Sequence, residues 1–238
     1  MNPNAYILSQ EHITIVGGTQ SGKSNHLIYY LKAKKAQGNR VIMITAKPEL
    51  KYRQAFDVVT TDSDEALESF LVIPKNDEGK SLGPRMTLFE LDITQGDEVS
   101  SMLDNITLYL QQESNAGRSS NLTVAVDEYS LLVKHKLEGS PINISLQRAA
   151  ATWRAYGGQL ITVAQRSSMI SHTVLTQSGY LTLYRVPAGD ITSIDKIAYP
   201  SLEEADALTF LTDNQYGFIL VKGFDLHRYD PIPLQGGE

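Results

Sequence analysis

Eight residues, Gly17 to Ser24, read GGTQSGKS and fit the spacing G-x-x-x-x-G-K-S/T. That spacing binds phosphate for physical reasons. Gly17 and Gly22 let the backbone curl, so that the N–H groups from Gly17 through Gly18, Thr19, Gln20 and Ser21 turn inward toward an anion. A helix that starts where the loop ends adds unpaired N–H groups and the positive end of its dipole. Lys23 then reaches the β- and γ-phosphates of ATP, and the Ser24 hydroxyl ligates Mg²⁺. The pattern is meaningful only between a strand and a helix. Ile13 to Val16 is a short β-branched run before it, and Leu27, Ile28 and Leu31 fall on one helical face after it.

Hydrolysis needs more than a phosphate cradle. LTVAVDE, Leu122 to Glu128, is an apolar strand followed by two acids. A buried strand of a parallel sheet releases its last side chains at the carboxyl edge, where the phosphate loop also lies. There Asp127 would hold the hydration shell of Mg²⁺, and Glu128 would accept a proton from the attacking water. Acids also end strands in ordinary turns; the clean apolar run before this pair favours the catalytic reading. LITVAQR, Leu160 to Arg166, ends a second buried strand with a polar residue. Gln165 is placed to bond the γ-phosphate or the water, although spacing alone serves a surface glutamine equally well.

Arginines matter because the transition state spreads negative charge over the γ-phosphoryl oxygens. Arg148 and Arg154 share a helix expected over 140–156. At about 100° per residue, Arg148 falls on the solvated face. Arg154 lies beside Trp153 at the margin of the apolar stripe, near the helix end. That position suits a side chain offered across a subunit contact, while the commoner fate of a helix arginine is solvation.

The elements that must carry these residues alternate. Strands are expected at 13–16, 41–44, 58–60, 86–91, 122–126, 160–163, 180–186 and 216–221. Helices are expected at about 22–37, 64–70, 97–110, 140–156 and 203–211, with Asp62 to Asp64 capping the second. Residues 74–85 read as a loop of Pro, Gly and charge, and residues 1–12 as a polar arm or short edge strand. The fold class is α/β, a mostly parallel central sheet flanked by helices with a strand-rich C-terminal end. A single domain over 1–238 is expected, with an arm at 1–12, a core at 13–225 and a tail at 226–238.

Composition narrows the functions. Of 238 residues, 42% are hydrophobic, enough for a substantial core. There are no cysteines, which excludes disulfides and cysteine nucleophiles or ligands and fits a reducing compartment. No apolar run approaches a membrane span, and the first residues have no signal-peptide layout. The net charge of −6 makes the chain a poor general binder of nucleic acid. Any DNA contact must be local, in a groove or pore. Basic loops of that kind are Lys75 to Arg85 and Lys134-His135-Lys136.

RAYGGQLITVAQRSS, Arg154 to Ser168, is similar to the arginine, small-residue turn, strand and A-T-Q-R segment of the FtsK–HerA superfamily of DNA-pumping ATPases. VIMITAKPEL, Val41 to Leu50, resembles that family's second strand and D-P-K turn, with Thr45-Ala46 before Lys47 where the family has aspartate. SGYLTLYRVPAGDITSIDKI, Ser178 to Ile197, resembles the strand and acidic turn that close the core. The similarity covers most of 13–225. It implies a RecA-like P-loop fold, a ring that is most often a hexamer, and double-stranded DNA in the channel. It makes Arg154 a trans-acting arginine finger and Gln165 the family's motif after the strand that bears Asp127. With no membrane anchor, winged-helix module or N-terminal barrel expected, the chain resembles viral genome-packaging ATPases more than cellular translocases. A capsid portal or vertex protein is then the implied partner, in the host cytoplasm or on the virion. Lys134 and Lys136, in the basic loop after the strand that bears Asp127, are the candidate DNA contacts on charge, although a solvated charged loop accounts for any single lysine equally well. The competing readings are an ATPase driving protein, pilus-like or virion assembly, and a nucleotide-dependent scaffold that hydrolyses slowly.

Overall fold

The computed structural model describes residues 3–47, 49–91, 96–129, 140–197 and 204–232. In chain order its strands are β1 (Ile13–Val16), β2 (Arg40–Thr45), β3 (Val58–Thr60), β4 (Met86–Glu90), β5 (Leu122–Asp127), β6 (Gly158–Ala164), β7 (Tyr180–Leu183), β8 (Phe218–Lys222) and β9 (Asp225–Tyr229). They form one sheet in the order β3-β4-β2-β5-β6-β1-β7-β8-β9. The pairs from β3 to β7 are parallel, and β8 and β9 add on antiparallel. This is the mostly parallel sheet with a strand-rich C-terminal end that the sequence predicts.

The helices are α1 (Pro3–Leu8), α2 (Lys23–Ala36), α3 (Leu50–Ala55), α4 (Ser63–Leu71), α5 (Gly96–Asn115), α6 (Pro141–Thr152), α7 (His172–Gln177), α8 (Ala188–Ile197) and α9 (Glu204–Asp213). They cover both faces of the sheet, which explains the nearly unbroken apolar strands. Successive side chains of a strand point to opposite faces. Ile42 and Ile44 of β2 accordingly join the cluster under α4, α5 and α6, while Val41 and Met43 join the cluster under α1, α2 and α3. Asp62 caps α4, its carboxylate accepting from the Asp64 and Glu65 N–H groups at 2.9 Å. Trp153, fully buried, donates from Nε1 to Thr107 Oγ1 at 2.8 Å and ties the end of α6 to α5.

The structure corrects several expectations. Residues 3–8 are a helix rather than an arm or edge strand, because Tyr6 and Ile7 are buried. The Tyr6 ring stacks on Tyr30 of α2, with centroids 5.5 Å apart. The strand expected to 186 stops at Leu183, and Ala188–Ile197, read as a closing turn, is a helix. The sheet also runs past residue 225 into β9. The polar composition of DLHRY, exposed or half-buried throughout, hid that strand, and its hairpin turns at Gly223, where φ is +56°. The loop at 74–85 is irregular apart from one bridge between Lys75 and Ser81.

Beneath the phosphate loop lies an aromatic cluster. His26 of α2 is buried, its Nδ1 paired with the Tyr184 hydroxyl at 2.8 Å and its Nε2 with the Tyr6 hydroxyl. Burial pushes the His26 pKa down to about 3. A base held neutral by the fold stabilises it above the unfolded pKa, 6.5 here, and loses that contribution as pH falls toward the folded value. Between pH 6.5 and 4 the loss is roughly 3 kcal/mol. Replacing His26→Gln should therefore lower Tm most at pH 7, and the deficit should shrink toward pH 4 in thermal melts. A deficit that stays constant with pH would show that His26 is not held neutral.

Candidate active site

The phosphate loop leaves β1 between two neighbours that hold it. The Gly17 N–H donates to Ala164 O at 3.2 Å, and the Gly18 N–H to Arg185 O at 2.8 Å, so these two amides, expected to face an anion, are instead spent on anchoring the loop. Gly17 is required by close approach, since a Cβ there would sit 2.5 Å from Tyr184 Cβ. Gly22 is required by conformation: it precedes α2 with φ +102°, where side chains are strained. Lys23 folds over the loop, its Nζ donating to Gly17 O and Gly18 O at 2.5 and 2.8 Å. Burial lowers its pKa, and Glu128 and Asp127 pull the other way. The Ser21 hydroxyl is buried and has no hydrogen-bond partner among the described residues, an open donor at the loop.

The acids stand across the same opening. Thr19 to Asn25, Lys47, Glu49, Lys51, Asp127, Glu128 and Tyr216 line one cleft of about 430 Å³. Asp127 ends β5 and is buried, which raises its pKa to about 6 despite a hydrogen bond from Tyr52. Glu128 follows it with φ +52°, a left-handed backbone that turns its side chain away from Asp127's course. Its two carboxylate oxygens accept from Gln165 Nε2 at 3.0 and 3.3 Å. Lys47 Nζ approaches to 3.9 Å, so the turn after β2 does reach the site although it lacks the aspartate.

Gln165 is brought there by topology. Its strand, β6, lies between β1 and β5. The following residues are fastened: Arg166 Nε and Ser167 Oγ donate to the buried Asp190 carboxylate at 3.1 and 2.9 Å.

The donors fit magnesium. Mg²⁺ takes few protein ligands, all oxygens, and keeps water and phosphate for the rest. Ser24 and Asp127, which line the same cleft, supply a hydroxyl and a carboxylate, and Asp127 accepts from the Tyr52 hydroxyl at 2.7 Å. The raised Asp127 pKa marks a buried carboxylate short of countercharge, which a divalent cation would supply. Tyr52 of α3 was not legible as a site residue: it follows a proline turn with no motif around it.

Other expected residues are elsewhere. Arg154 sits in the 3-10 turn Trp153–Tyr156, before β6, whereas Gln165 follows β6. Seven strand residues at about 3.3 Å each put more than about 20 Å between them. Arg154 therefore lies at the opposite edge of the sheet from its own phosphate loop. It is exposed, and its Nη1 donates to Glu11 Oε2 at 2.6 Å. Arg148 is on the solvated side, paired with Asp104 at 3.0 Å. Lys134 and Lys136 lie outside the described residues. A second cleft, of about 590 Å³, adjoins Gly18 to Ser21 and has an apolar wall of Val186, Pro187, Leu208 and Leu211. Among the described residues no helix is long and apolar enough to cross a membrane.

No protein-family model matches the chain, and no curated protein matches it. Solved structures do. The chain is similar to the genome packaging NTPase B204 from Sulfolobus turreted icosahedral virus 2 in complex with ATP-gammaS, at 17% identity and TM-score 0.65, over 94% of this chain and 98% of that one. It is similar to VirB4 of Thermoanaerobacter pseudethanolicus at 14% identity and TM-score 0.62, over 93% and 89%. It also matches EssC (ATPases 2 and 3) from Geobacillus thermodenitrificans at 14% identity and TM-score 0.58, over 97% of this chain and 41% of that one. At such identities the likeness is one of fold, and the fold is that of the RecA-like P-loop NTPases.

Asp127 yields a stability test. A carboxyl whose folded pKa is raised, from 3.8 to about 6, stabilises the fold below 3.8 and loses that contribution as pH rises through 6. At pH 8 the nucleotide-free protein thus carries a cost on the order of 3 kcal/mol. Asp127→Asn should raise its Tm by several degrees at pH 8 in EDTA, and by nothing at pH 4. Calorimetry showing equal effects at both pH values would remove burial as the cause.

Proposed function

We propose that this chain is an ATP-hydrolysing DNA translocase, a genome-packaging motor that acts as a ring, most simply a hexamer. The observation that carries the reading is the meeting of the Gly17 to Ser24 loop, Asp127, Glu128 and Gln165 at one sheet edge. Loop N–H groups, the Ser21 hydroxyl and Lys23 bind the phosphates. The apolar wall beside Gly18 has room for the nucleoside. Ser24 and Asp127 hold Mg²⁺, which when bound neutralises charge on the β- and γ-phosphates. Glu128 takes the proton of the attacking water, and its hydrogen bond to Gln165 keeps the carboxylate pointed at the cleft until nucleotide arrives.

Arg154 cannot serve its own cleft from the far edge of the sheet, so it serves a neighbour's. A finger in trans is worth about 10³ to 10⁵ in rate. Arg154→Ala should bind ATP and hydrolyse it poorly. Mixing it with Lys23→Ala should restore activity in assembled protein, because one supplies an intact pocket and the other an intact finger. No rescue in a confirmed oligomer would overturn the trans assignment.

DNA in the channel is supported by the likeness in fold to the packaging NTPase of a virus. The chain has 21 basic and 27 acidic residues, so binding depends on a local collar repeated around the ring. Lys134 and Lys136 are the proposed contacts, and a capsid portal or vertex protein is the proposed docking partner. Duplex DNA should stimulate the ATPase at low salt, with little sequence preference and a steep loss as salt rises, since each phosphate contact contributes about 0.9 to the log–log slope. Rates measured on assembled protein at two salt concentrations decide this. The absence of stimulation at low salt would favour the protein-assembly reading.

A further inference from the structure

We propose that Tyr52 is a positioning residue for the metal site, holding the Asp127 carboxylate in the orientation in which it would take up Mg²⁺ with ATP. The inference rests on the reading of this cleft as an Mg²⁺–nucleotide site. Tyr52 is the buried residue of α3, and its ring packs in the cluster under α1 to α3. Its hydroxyl donates to Asp127 Oδ2 at 2.7 Å. Both Tyr52 and Asp127 are closed to solvent, at 0% and 5% exposure, so neither can trade this bond for water. A hydroxyl bound to a carboxylate at such a distance is among the stronger hydrogen bonds. It engages one carboxylate oxygen and leaves Oδ1 to the metal's shell.

α3 is built to deliver that hydroxyl. Thr45 of β2 is level with Glu90 of β4 on one side and with Asp127 of β5 on the other. Arg53, next to Tyr52, donates from Nε and Nη2 to both oxygens of Glu90 at 2.7 and 2.6 Å. The helix is thereby clamped on the strand end two places from Asp127, and Tyr52 reaches back across β2. A core position alone would be filled as well by phenylalanine. The hydroxyl is instead spent on Asp127, the carboxylate that would ligate magnesium.

Partners that orient metal ligands typically change affinity by about 10- to 100-fold when removed. The test is binding of a fluorescent non-hydrolysable ATP analogue, by anisotropy, across a Mg²⁺ titration and in EDTA. Tyr52→Phe should need about ten-fold more Mg²⁺ for half-maximal tightening, with affinity in EDTA unchanged. An unchanged Mg²⁺ midpoint overturns the proposal, and so does an equal loss in EDTA, which would mark Tyr52 as packing alone. Wild-type protein that does not tighten with Mg²⁺ overturns the metal reading of the cleft instead. Should Tyr52→Phe not fold, Arg53→Ala carries the same test from the surface. It frees α3 from Glu90 and so loosens the hold on the Tyr52 phenol without removing it. A raised midpoint with unchanged EDTA affinity supports the assignment, and an unchanged midpoint overturns it.

Discussion

The parallel pairing of β1 with β6 and of β6 with β5 is the constraint on which the site depends. Val16 is level with Ala164, and Val126 with Thr162. The three strands therefore end within a residue or two of one another, and their next residues are the phosphate loop, Gln165 and the Asp127-Glu128 pair. Burial on both faces enforces that register. A slip of one residue would exchange the side chains of the two clusters, placing Thr14 and Thr162 where apolar packing is needed. Those threonines instead bond each other at 2.9 Å, within the sheet's interior.

The site itself is unfavourable ground. Asp127 is a buried carboxyl with a raised pKa, Glu128 has a left-handed backbone, and the Ser21 hydroxyl lacks a partner among the described residues. Each such feature costs about 1 to 3 kcal/mol. The two apolar clusters on either side of the sheet hold these residues in place against that cost. Under the proposed reading, phosphate, a divalent cation and water would satisfy the same groups, and ligand binding would relieve what folding alone leaves unpaired.

The far edge is organised for a different purpose. Gln159 Nε2 donates to Glu11 O at 2.6 Å, and Leu160 N–H donates to His12 Nδ1 at 3.0 Å. These bonds staple the segment after α1 beneath the start of β6. Trp153 fixes the turn from the other side. The backbone of Arg154 is thus held while its guanidinium stays exposed, paired among the described residues with Glu11. An exposed pair of this kind contributes about 0 to 1 kcal/mol, so the head can exchange Glu11 for another anion at little cost.

The sequence by itself determined the strand–helix alternation, the phosphate loop and the acidic pair, because these depend on local spacing. A glycine pattern and an apolar run ending in Asp-Glu act within a few residues of themselves. It also placed Arg148 on the solvated side, which follows from helical periodicity. The helix at 3–8 and strand β9 escaped it, since Tyr6 is buried by Tyr30 and the half-buried strand of Asp225 to Tyr229 is held by β8. Only the tertiary structure decided that β6 lies between β1 and β5, which carries Gln165 to Glu128 and leaves Arg154 at the opposite edge. Strand order is a long-range choice that no local pattern records. Tyr52 was invisible for the same reason: its partner Asp127 is 75 residues away in sequence, and only the packing of α3 across three strand ends brings the hydroxyl to it.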